Sequence, residues 1–292
     1  MNKTILRIDP SSFIISDCSM RFKLSNIDGY TSQTPCHKMH YGSSFHKAIA
    51  IWYRTKDKQK AMLAGMEMMN KVTVPESDWR TASHLLATIH EYIVAYEKHD
   101  RFVPSTNSSG ELGIELPFKL PYRSYEHTDV ILCGVVDAVG MWDEKIPVFK
   151  DIKTTAANPM YYFDTYELSP QMILYSYVLK QLGFAGGKVY PPAIIDGVFI
   201  NKSGCKLNRS GLITFRDDQI DTFMECFSER VDDLVARLEG RRKWTHNYSQ
   251  CEGKFGACQF KRVCSVREEV RSGMLESLFS RRIYDPATFG QE

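Results

Sequence analysis

Four cysteines near the two ends of the chain restrict the folds that this sequence can adopt. Cys18 lies near the start, whereas Cys251, Cys258 and Cys264 lie within 14 residues of one another near the end of the 292-residue sequence. In a reducing compartment, cysteines are more often thiols or metal ligands than disulfide partners. If these four cysteines share one metal centre, the two ends of the chain must meet in the folded protein.

The composition predicts a large folded core and no membrane span. Hydrophobic residues make up 43% of the chain, enough for one large domain. No apolar run approaches the roughly 18 to 20 residues of a transmembrane helix, and the first residues, MNKTILRIDPSS, lack the apolar centre of a signal peptide. We therefore expect a cytoplasmic protein. Four further cysteines have no partner at ligand spacing and are predicted to be ordinary thiols: Cys36, Cys133, Cys205 and Cys226.

The net charge of +2 conceals an uneven distribution of charge along the chain. Residues 1–60 carry +6 and residues 241–271 carry +5, whereas residues 61–240 carry −8. A metal centre that joined the ends would bring the two basic segments together, and basic segments attract the phosphates of nucleic acids. The alternative is that these charges are solvated surface groups.

The first third of the sequence has the periodicity of helices. Asp9-Pro10-Ser11-Ser12 is typical of a helix start and predicts a helix over 10–24 that carries Cys18. A helix over 42–54 is predicted to begin with its Gly-Ser-Ser sequence, which would place His46 near the helix N-terminus. Two more helices are predicted over 57–71 and 79–98.

After the turn-forming segment 104–110, the pattern changes from helical to strand-like. Strands are predicted over 111–120, 129–141, 146–153 and 193–200, and helices over 167–183 and 216–238. This order predicts an α/β (α+β) protein with a mixed sheet flanked by helices. We expect a single domain over 1–292, with a helical part at 1–100, a core at 105–240 and a cysteine-rich clasp at 241–275.

Two neighbouring strands carry acidic residues among apolar ones. Asp137 lies in the middle of an apolar strand, where a buried carboxylate without a partner is unfavourable, and a bound cation would remove that cost. On the next strand Asp151 and Lys153 share one face, because strand side chains alternate, and Ile152 points to the other face. Carboxylates are oxygen ligands for divalent cations. The alternative is that Asp151 and Lys153 form a surface ion pair and that Asp137 caps a turn.

At these residues the chain resembles the PD-(D/E)XK nuclease superfamily, and within it the RecB-like exonuclease branch. That branch includes the nuclease domains of RecB and AddB, the CRISPR-adaptation nucleases and phage-encoded relatives. The motifs of the branch occur here in order: Gly42 with His46, Glu115, Gly134-Val-Val-Asp137, Asp151-Ile-Lys153-Thr, and Gln171-x-x-x-Tyr175. The resemblance spans nearly the whole chain and implies a restriction-endonuclease-like fold.

The resemblance also implies a role for each motif residue. His46, Asp137, Asp151 and the carbonyl of Ile152 would hold Mg²⁺ or Mn²⁺, and a nitrogen ligand beside carboxylates suits Mn²⁺ better. Glu115 would position a water molecule or a second ion. Lys153 would orient the attacking water and offset developing charge. Two residues one helical turn apart would contact substrate or brace the lysine: Gln171 and Tyr175.

The resemblance extends to the four cysteines. The RecB-like branch places one cysteine before the nuclease core and three after it, and these bind a [4Fe–4S] cluster. Cys258-Gln-Phe-x-x-x-Cys264 is similar to the C-terminal signature of the branch. Structural zinc sites usually contain Cys-x-x-Cys pairs, which this sequence lacks. Zinc and four unliganded thiols remain alternatives.

The implied function is that of a metal-dependent DNA exonuclease. It would hydrolyse phosphodiester bonds in single-stranded DNA or at DNA ends, in recombination, repair, or phage or defence DNA processing, inside a bacterium or a phage-infected host cell. The alternative is a non-cleaving DNA-binding accessory protein of recombination that retains the nuclease fold. Loss of an acid or of the lysine would indicate that alternative, and this sequence retains all of them.

Overall fold

The computed structural model describes residues 3–34, 36–106, 110–253 and 256–287. It contains a mixed sheet flanked by helices, which confirms the predicted fold class. Part of the predicted turn over 104–110 lies outside the described residues. Among the helices that are described, none is both long and apolar enough to cross a membrane.

The helices and strands are numbered here in chain order. The N-terminal elements are β1 (Thr4–Ile8), α1 (Pro10–Ile15), α2 (Ser19–Phe22), a π-helical turn (Lys23–Ile27), β2 (Tyr30–Ser32), α3 (His37–Thr55), α4 (Lys58–Met69) and α5 (Ala82–Tyr96). The central elements are β3 (Phe102–Pro104), β4 (Ile114–Ser124), β5 (Thr128–Trp142), β6 (Ile146–Thr155), α6 (Pro170–Gln181), β7 (Ala193–Asn201) and β8 (Gly204–Arg209). The C-terminal elements are α7 (Asp217–Leu238), β9 (Glu252–Gly253), β10 (Gly256–Ala257), α8 (Lys261–Cys264), α9 (Glu268–Leu278) and β11 (Phe279–Arg281).

The chain divides into two compact units. The larger unit comprises Pro35–Pro117 and Val135–Ile220, and the smaller unit comprises Met1–Thr34, Phe118–Gly134 and Asp221–Phe289. The expectation of a single nuclease domain with three parts stays a prediction.

The sheet has the order β1-β5-β6-β7-β8, and β3 and β4 also pair with β5. Strands β5 and β6 are antiparallel, with Ala138 opposite Lys150. Strands β6 and β7 are parallel, with Asp151 opposite Ile195, and β8 is antiparallel to β7. Strand β6 therefore has a hydrogen-bonded neighbour on each side.

In the larger unit, the two faces of β6 are covered by different helices. Val148 and Ile152 belong to the same buried cluster as apolar residues of α3, α4 and α5. On the opposite face, the ring of Phe149 lies 6.1 Å from that of Tyr175 on α6. The alternation of side chains along β6 therefore separates the face of Val148 and Ile152 from the face that carries Asp151 and Lys153.

In the smaller unit, the N-terminal and C-terminal parts of the sequence pack together. Strand β1 is parallel to the start of β5, and β2 is antiparallel to β11, with Tyr30 opposite Arg281. Leu24 and Tyr30 share a buried cluster with Phe260 and Phe279. Residues far apart in sequence therefore meet here, as the hypothesis of a shared cysteine centre requires.

Two predicted helix boundaries are wrong. The helix expected over 10–24 is interrupted, so that Cys18 is the residue before α2 and not inside a helix. Backbone hydrogen bonds to a distant segment decide this, since Met20 N donates to Thr245 O at 2.9 Å. The predicted start at Pro10 is confirmed, and the structure assigns the N-cap to Asp9.

Helix α3 begins at His37 and not at the Gly-Ser-Ser sequence, so that His46 lies in the middle of the helix. The buried hydroxyl of Tyr41 hydrogen-bonds Nδ1 of His84 at 2.8 Å and Oγ1 of Thr88 at 2.9 Å. These tertiary contacts extend the helix beyond its local start signal. Seven short strands in the described part of the chain were not predicted from the sequence: β1, β2, β3, β8, β9, β10 and β11.

Candidate active site

The pairing of β5 with β6 brings two acidic residues to adjacent strands, as their spacing predicts. Ile152 N on β6 donates a hydrogen bond to Oδ2 of Asp137 on β5 at 2.7 Å. Asp151 is nearly fully buried beside Ile152. The alternative in which Asp151 forms a surface ion pair is therefore wrong.

Three side chains from different elements form a group that could hold a metal ion. His46 on α3 points Nδ1 toward Asp137 Oδ2 at 3.4 Å and toward Glu115 Oε1 at 4.0 Å. One ligand atom from each residue lies within 4.8 Å of the others. The ligands of an octahedral ion with bonds near 2.1 Å lie about 3 to 4 Å apart. The donor set therefore fits one divalent cation.

Glu115 joins this group with a backbone conformation that is rare for its residue type. Its φ of 48° lies in the left-handed region, although it is part of β4. Such conformations are unfavourable for residues other than glycine and are frequent at functional sites. Arg54 on α3 donates a hydrogen bond to the neighbouring carbonyl of Ile114 at 2.8 Å, which helps to hold this part of the strand.

The ionisable groups of His46, Glu115 and Asp137 lie close enough to shift one another's pKa. Burial disfavours the charged form of His46, but the nearby carboxylates outweigh it and raise the pKa of His46 to about 9. Burial and the charge of Asp137 raise the pKa of Glu115 to about 7. Burial also acts to raise the pKa of Asp137, but His46 and Lys153 hold it below its ordinary value. A cation bound here would compete with protons for these groups.

Lys153 and Asp151 form an ion pair beside this group. Lys153 Nζ lies 2.8 Å from Asp151 Oδ2. Burial raises the pKa of Asp151 to about 6 despite Lys153, whereas Asp151 and Asp137 outweigh burial and raise the pKa of Lys153. Within the described part of the chain, Asp151 Oδ2 accepts no hydrogen bond apart from this ion contact. It therefore retains the capacity to accept a further ligand.

Helix α6 supplies the residues that support this pair. Gln171 Oε1 accepts a hydrogen bond from Lys153 Nζ at 3.0 Å, and Gln171 Nε2 lies 3.5 Å from Asp151 Oδ1. One turn later, the Tyr175 hydroxyl donates to the carbonyl of Val135 on β5 at 2.9 Å. Of the two expectations for the Gln-x-x-x-Tyr motif, the geometry places Gln171 where it can brace Lys153.

Gly42 is explained by the close approach of α3 to β6. A Cβ atom at Gly42 would lie 3.0 Å from Oγ1 of Thr154, a distance tighter than almost all real Cβ contacts. Thr154 follows Lys153 directly on β6. The absence of a side chain at Gly42 therefore allows the helix that carries His46 to lie against the strand that carries Lys153.

In the smaller unit, all four terminal cysteines line one small cavity. Its walls are formed by Cys18, Cys251, Cys258 and Cys264 together with residues such as Arg21 and His246. Asn247 N donates a hydrogen bond to Cys18 Sγ at 3.4 Å, and Cys258 N donates to the carbonyl of Cys251 at 2.9 Å. The structure thus brings together cysteines from the two ends of the sequence.

A comparison with protein families decides the identity of the fold. A sequence model described as the PD-(D/E)XK nuclease superfamily matches residues 14–265. The chain belongs to the PD-(D/E)XK nuclease superfamily. The match contains every residue of the two sites described above, from Cys18 to Cys264. Nucleases of this superfamily use divalent metals, and the His46 group could hold one.

A solved structure shows a similar fold at low sequence identity. A candidate exonuclease from Eubacterium rectale superposes with a TM-score of 0.54 and 9% identity, covering 90% of this nuclease and 90% of that chain. An alkaline exonuclease from Laribacter hongkongensis gives a TM-score of 0.27 and 10% identity over 70% of this nuclease and 95% of that chain. No curated protein sequence matches the nuclease.

The nuclease also contains a buried ionic network that the sequence-based reasoning missed. The side chain of Lys150, next to Asp151 on β6, has 0% exposure and lies 3.5 Å from Asp196 Oδ2. Burial lowers the pKa of Lys150 to about 8 even though Asp196 and Asp100 oppose this. Arg209 pairs with both of these acids. The sequence did indicate this network. Side chains alternate along β6, so Lys150 points to the same face as the buried Ile152, and a lysine there needs buried acidic partners.

Proposed function

We propose that this nuclease is a metal-dependent DNA exonuclease of the RecB-like branch. The proposal rests mainly on the His46–Glu115–Asp137 group, which lies beside the Lys153–Asp151 ion pair. A donor set for a divalent cation, next to a lysine held by a carboxylate and an amide, suits hydrolysis of a phosphodiester. The sequence retains every acid and the lysine, which argues against the non-cleaving accessory protein.

The residues of the site have distinct roles in this proposal. His46, Asp137, Asp151 and the Ile152 carbonyl would hold Mg²⁺ or Mn²⁺, as the resemblance implies, and Glu115 lies where it would add a further ligand. A bound ion would supply Lewis-acid stabilisation of the charge that develops on the phosphate. Lys153 orients the attacking water and offsets negative charge in the transition state. Gln171 keeps the Lys153 ammonium in place, and Tyr175 anchors the same face of α6.

We infer that the substrate is DNA that is single-stranded or has free ends. The basic segments 1–60 and 241–271 support a polyanionic substrate. The preference for ends rests on the RecB-like resemblance and on the description of the Eubacterium rectale protein as a candidate exonuclease. The proposed setting is the cytoplasm of a bacterium or a phage-infected host, in recombination, repair, or phage or defence DNA processing.

We also infer that the four cysteines hold a [4Fe–4S] cluster. All four cysteines line one cavity, and the sequence lacks the Cys-x-x-Cys pairs that structural zinc sites usually contain. Cysteine thiolates are the usual ligands of such clusters.

The proposed activity is tested with end-labelled single-stranded, duplex and circular DNA in the presence of Mg²⁺, Mn²⁺ or EDTA. We expect metal-dependent loss of label from linear DNA and little cleavage of circles. Asp137→Ala, Asp151→Ala and Lys153→Ala should each reduce the rate by at least about 100-fold while the protein remains folded. If purified Asp151→Ala protein cleaves DNA as fast as wild type, the proposed catalytic site is wrong.

A further inference from the structure

Residues 156–169 connect the two elements that carry the Lys153–Gln171 contact. This aromatic loop, defined as residues 156–169, starts directly after β6 and ends at Ser169, before α6. Because Lys153 lies near one end of the loop and Gln171 near the other, the covalent chain holds the loop beside the proposed active site. The loop contains tyrosines at positions 161, 162 and 166.

The base of the aromatic loop is firmly anchored in the larger unit. The ring of Tyr162 packs edge-on against Phe199 of β7, with ring centres 5.0 Å apart, and Phe163 lies 6.1 Å from the same ring. A Cβ atom at Gly197 would lie within 3.1 Å of both phenylalanine rings. The glycine therefore provides the space for this aromatic packing.

Hydrogen bonds within the loop hold its remaining residues in place. The Tyr166 hydroxyl donates to the Tyr162 hydroxyl at 2.8 Å, and Met160 N donates to Asn158 Oδ1 at 3.0 Å. Gln219 on α7 donates to the carbonyl of Glu167 at 3.0 Å. The conformation of the loop is thus fixed by hydrogen bonds within the loop and to α7.

Three large apolar side chains of this anchored loop remain exposed to solvent. Tyr161 is 75% exposed, Leu168 75% and Met160 66%. The backbone of Tyr161 has a φ of 59°, a left-handed conformation that is unfavourable for an aromatic residue. Met160 and Tyr161 are adjacent in the chain, exposed apolar groups that lie together mark interaction surfaces, and strained residues cluster at functional sites. The anchored loop thus holds the Tyr161 ring exposed to solvent.

The charge of the loop indicates which part of a nucleic acid it contacts. The loop has two acidic residues, Asp164 and Glu167, and no lysine or arginine, so it does not suit phosphates. The loop begins three residues after Lys153, whose Nζ lies 2.8 Å from Asp151 Oδ2, so its start lies close to the proposed catalytic acids. An apolar, aromatic and uncharged tip suits the faces of nucleobases.

The geometry points to the aromatic loop as a base-stacking platform, on which Tyr161, flanked by Met160, binds an unpaired nucleobase of the strand that enters the active site. This inference rests on the proposed nuclease function and names the part of the substrate that the site recognises. Stacking tolerates any base but requires that the base be unpaired. The platform therefore selects single-stranded DNA or frayed ends over intact duplex.

The test measures binding of a fluorescent single-stranded oligonucleotide in EDTA, together with metal-dependent cleavage of the same strand. A second oligonucleotide of equal length has abasic sites in place of its terminal bases. Tyr161→Ala should weaken binding of the normal strand roughly five- to 150-fold, the effect of losing one base–aromatic stack. Tyr161→Phe keeps the ring and should bind within about twofold of wild type. Leu63→Ala, at a half-exposed position on α4, controls for loss of an exposed apolar group.

The abasic strand separates stacking from other causes. We expect wild type and Tyr161→Ala to bind the abasic strand equally, because the missing bases leave the ring without a partner. If Tyr161→Ala binds the normal strand as tightly as wild type, or loses the same factor on both strands, the stacking inference is wrong. A wild-type protein that shows base-dependent binding but cleaves no DNA with any metal would instead overturn the nuclease proposal and leave the platform standing.

Discussion

Gln171 on α6 accepts a hydrogen bond from the ammonium group of Lys153 on β6 at 3.0 Å. The same side chain lies 3.5 Å from Asp151 and 3.4 Å from the Tyr175 hydroxyl. A helix thus holds the ammonium group of a lysine that belongs to a strand. Lysine has a long flexible side chain, so the position of its charge depends on such partners.

We predict that Gln171→Ala lowers kcat about tenfold to 100-fold, the loss expected for one hydrogen bond to a charged group. The pH dependence of kcat should also change, because Lys153 loses one of its partners. Gln171→Glu should restore part of the rate, since a carboxylate can accept the same hydrogen bond. Gln181→Ala, at an exposed position at the end of the same helix, is the control and should behave as wild type. A Gln171→Ala protein with an unchanged rate and pH profile would exclude the bracing role.

The metal-free protein should become less stable as the pH rises from 5 to 7. In the folded state the pKa of Glu115 is about 7 against an ordinary 4.5, that of Asp151 about 6 against 3.8, and that of His46 about 9 against 6.5. All three are raised, so the folded protein binds protons more tightly than the unfolded chain, and stability is lost as the pH rises through these values. The pKa of Asp137 is lowered, so this group changes the stability only at pH values below its ordinary pKa of 3.8, outside the range from pH 5 to 7.

Thermal unfolding in EDTA at pH 5, 6 and 7 measures this effect. We expect the melting temperature to fall by several degrees over that range, and we expect Glu115→Gln to reduce the fall. Added Mn²⁺ should raise the melting temperature most at pH 7, where protons no longer compete for the ligands. A metal-free melting temperature that rises steadily from pH 5 to 7 would contradict the assigned proton affinities.

The cysteine cavity predicts a coloured protein. After anaerobic purification we expect roughly four iron atoms per chain and broad visible absorbance. Cys18→Ser should lose iron and lower the melting temperature, because Cys18 is the N-terminal member of the set. Cys226→Ser, at an exposed thiol elsewhere in the smaller unit, should keep full iron content. Stoichiometric zinc without iron would make the site a zinc centre, and a Cys18→Ser protein with full iron content would remove Cys18 from the ligands.

The buried ionic network should contribute strongly to stability. Arg209→Met leaves Asp196 and Asp100 without their shared arginine in a buried environment, which typically costs about 3–5 kcal/mol of unfolding free energy. Chemical denaturation should show this as a lower midpoint. Arg216→Met removes an ion pair with Asp218 that is largely exposed, and it should leave the midpoint almost unchanged. Equal midpoints for the two variants would show that the network adds no stability.

Local spacing in the sequence determined much of the candidate site. The period of two along β6 places Asp151 and Lys153 on one face, and the interval of four between Gln171 and Tyr175 places both on one side of α6. These relationships follow from backbone geometry alone, because strands and helices repeat regularly. For the same reason the mixed sheet and most of its strands could be predicted from the sequence.

Only the tertiary structure decided the features that depend on distant partners. Helix α3 extends back to His37 because the Tyr41 hydroxyl hydrogen-bonds His84 and Thr88 on α5. Cys18 lies outside a helix because the backbone next to it hydrogen-bonds Thr245. Glu115 enters the group around His46 through a backbone conformation that no local pattern encodes. Lys150 is accommodated in the core because Asp196 of β7 and Asp100 lie close to its ammonium group. In each case the deciding energy comes from contacts between residues far apart in sequence, which local propensities do not contain.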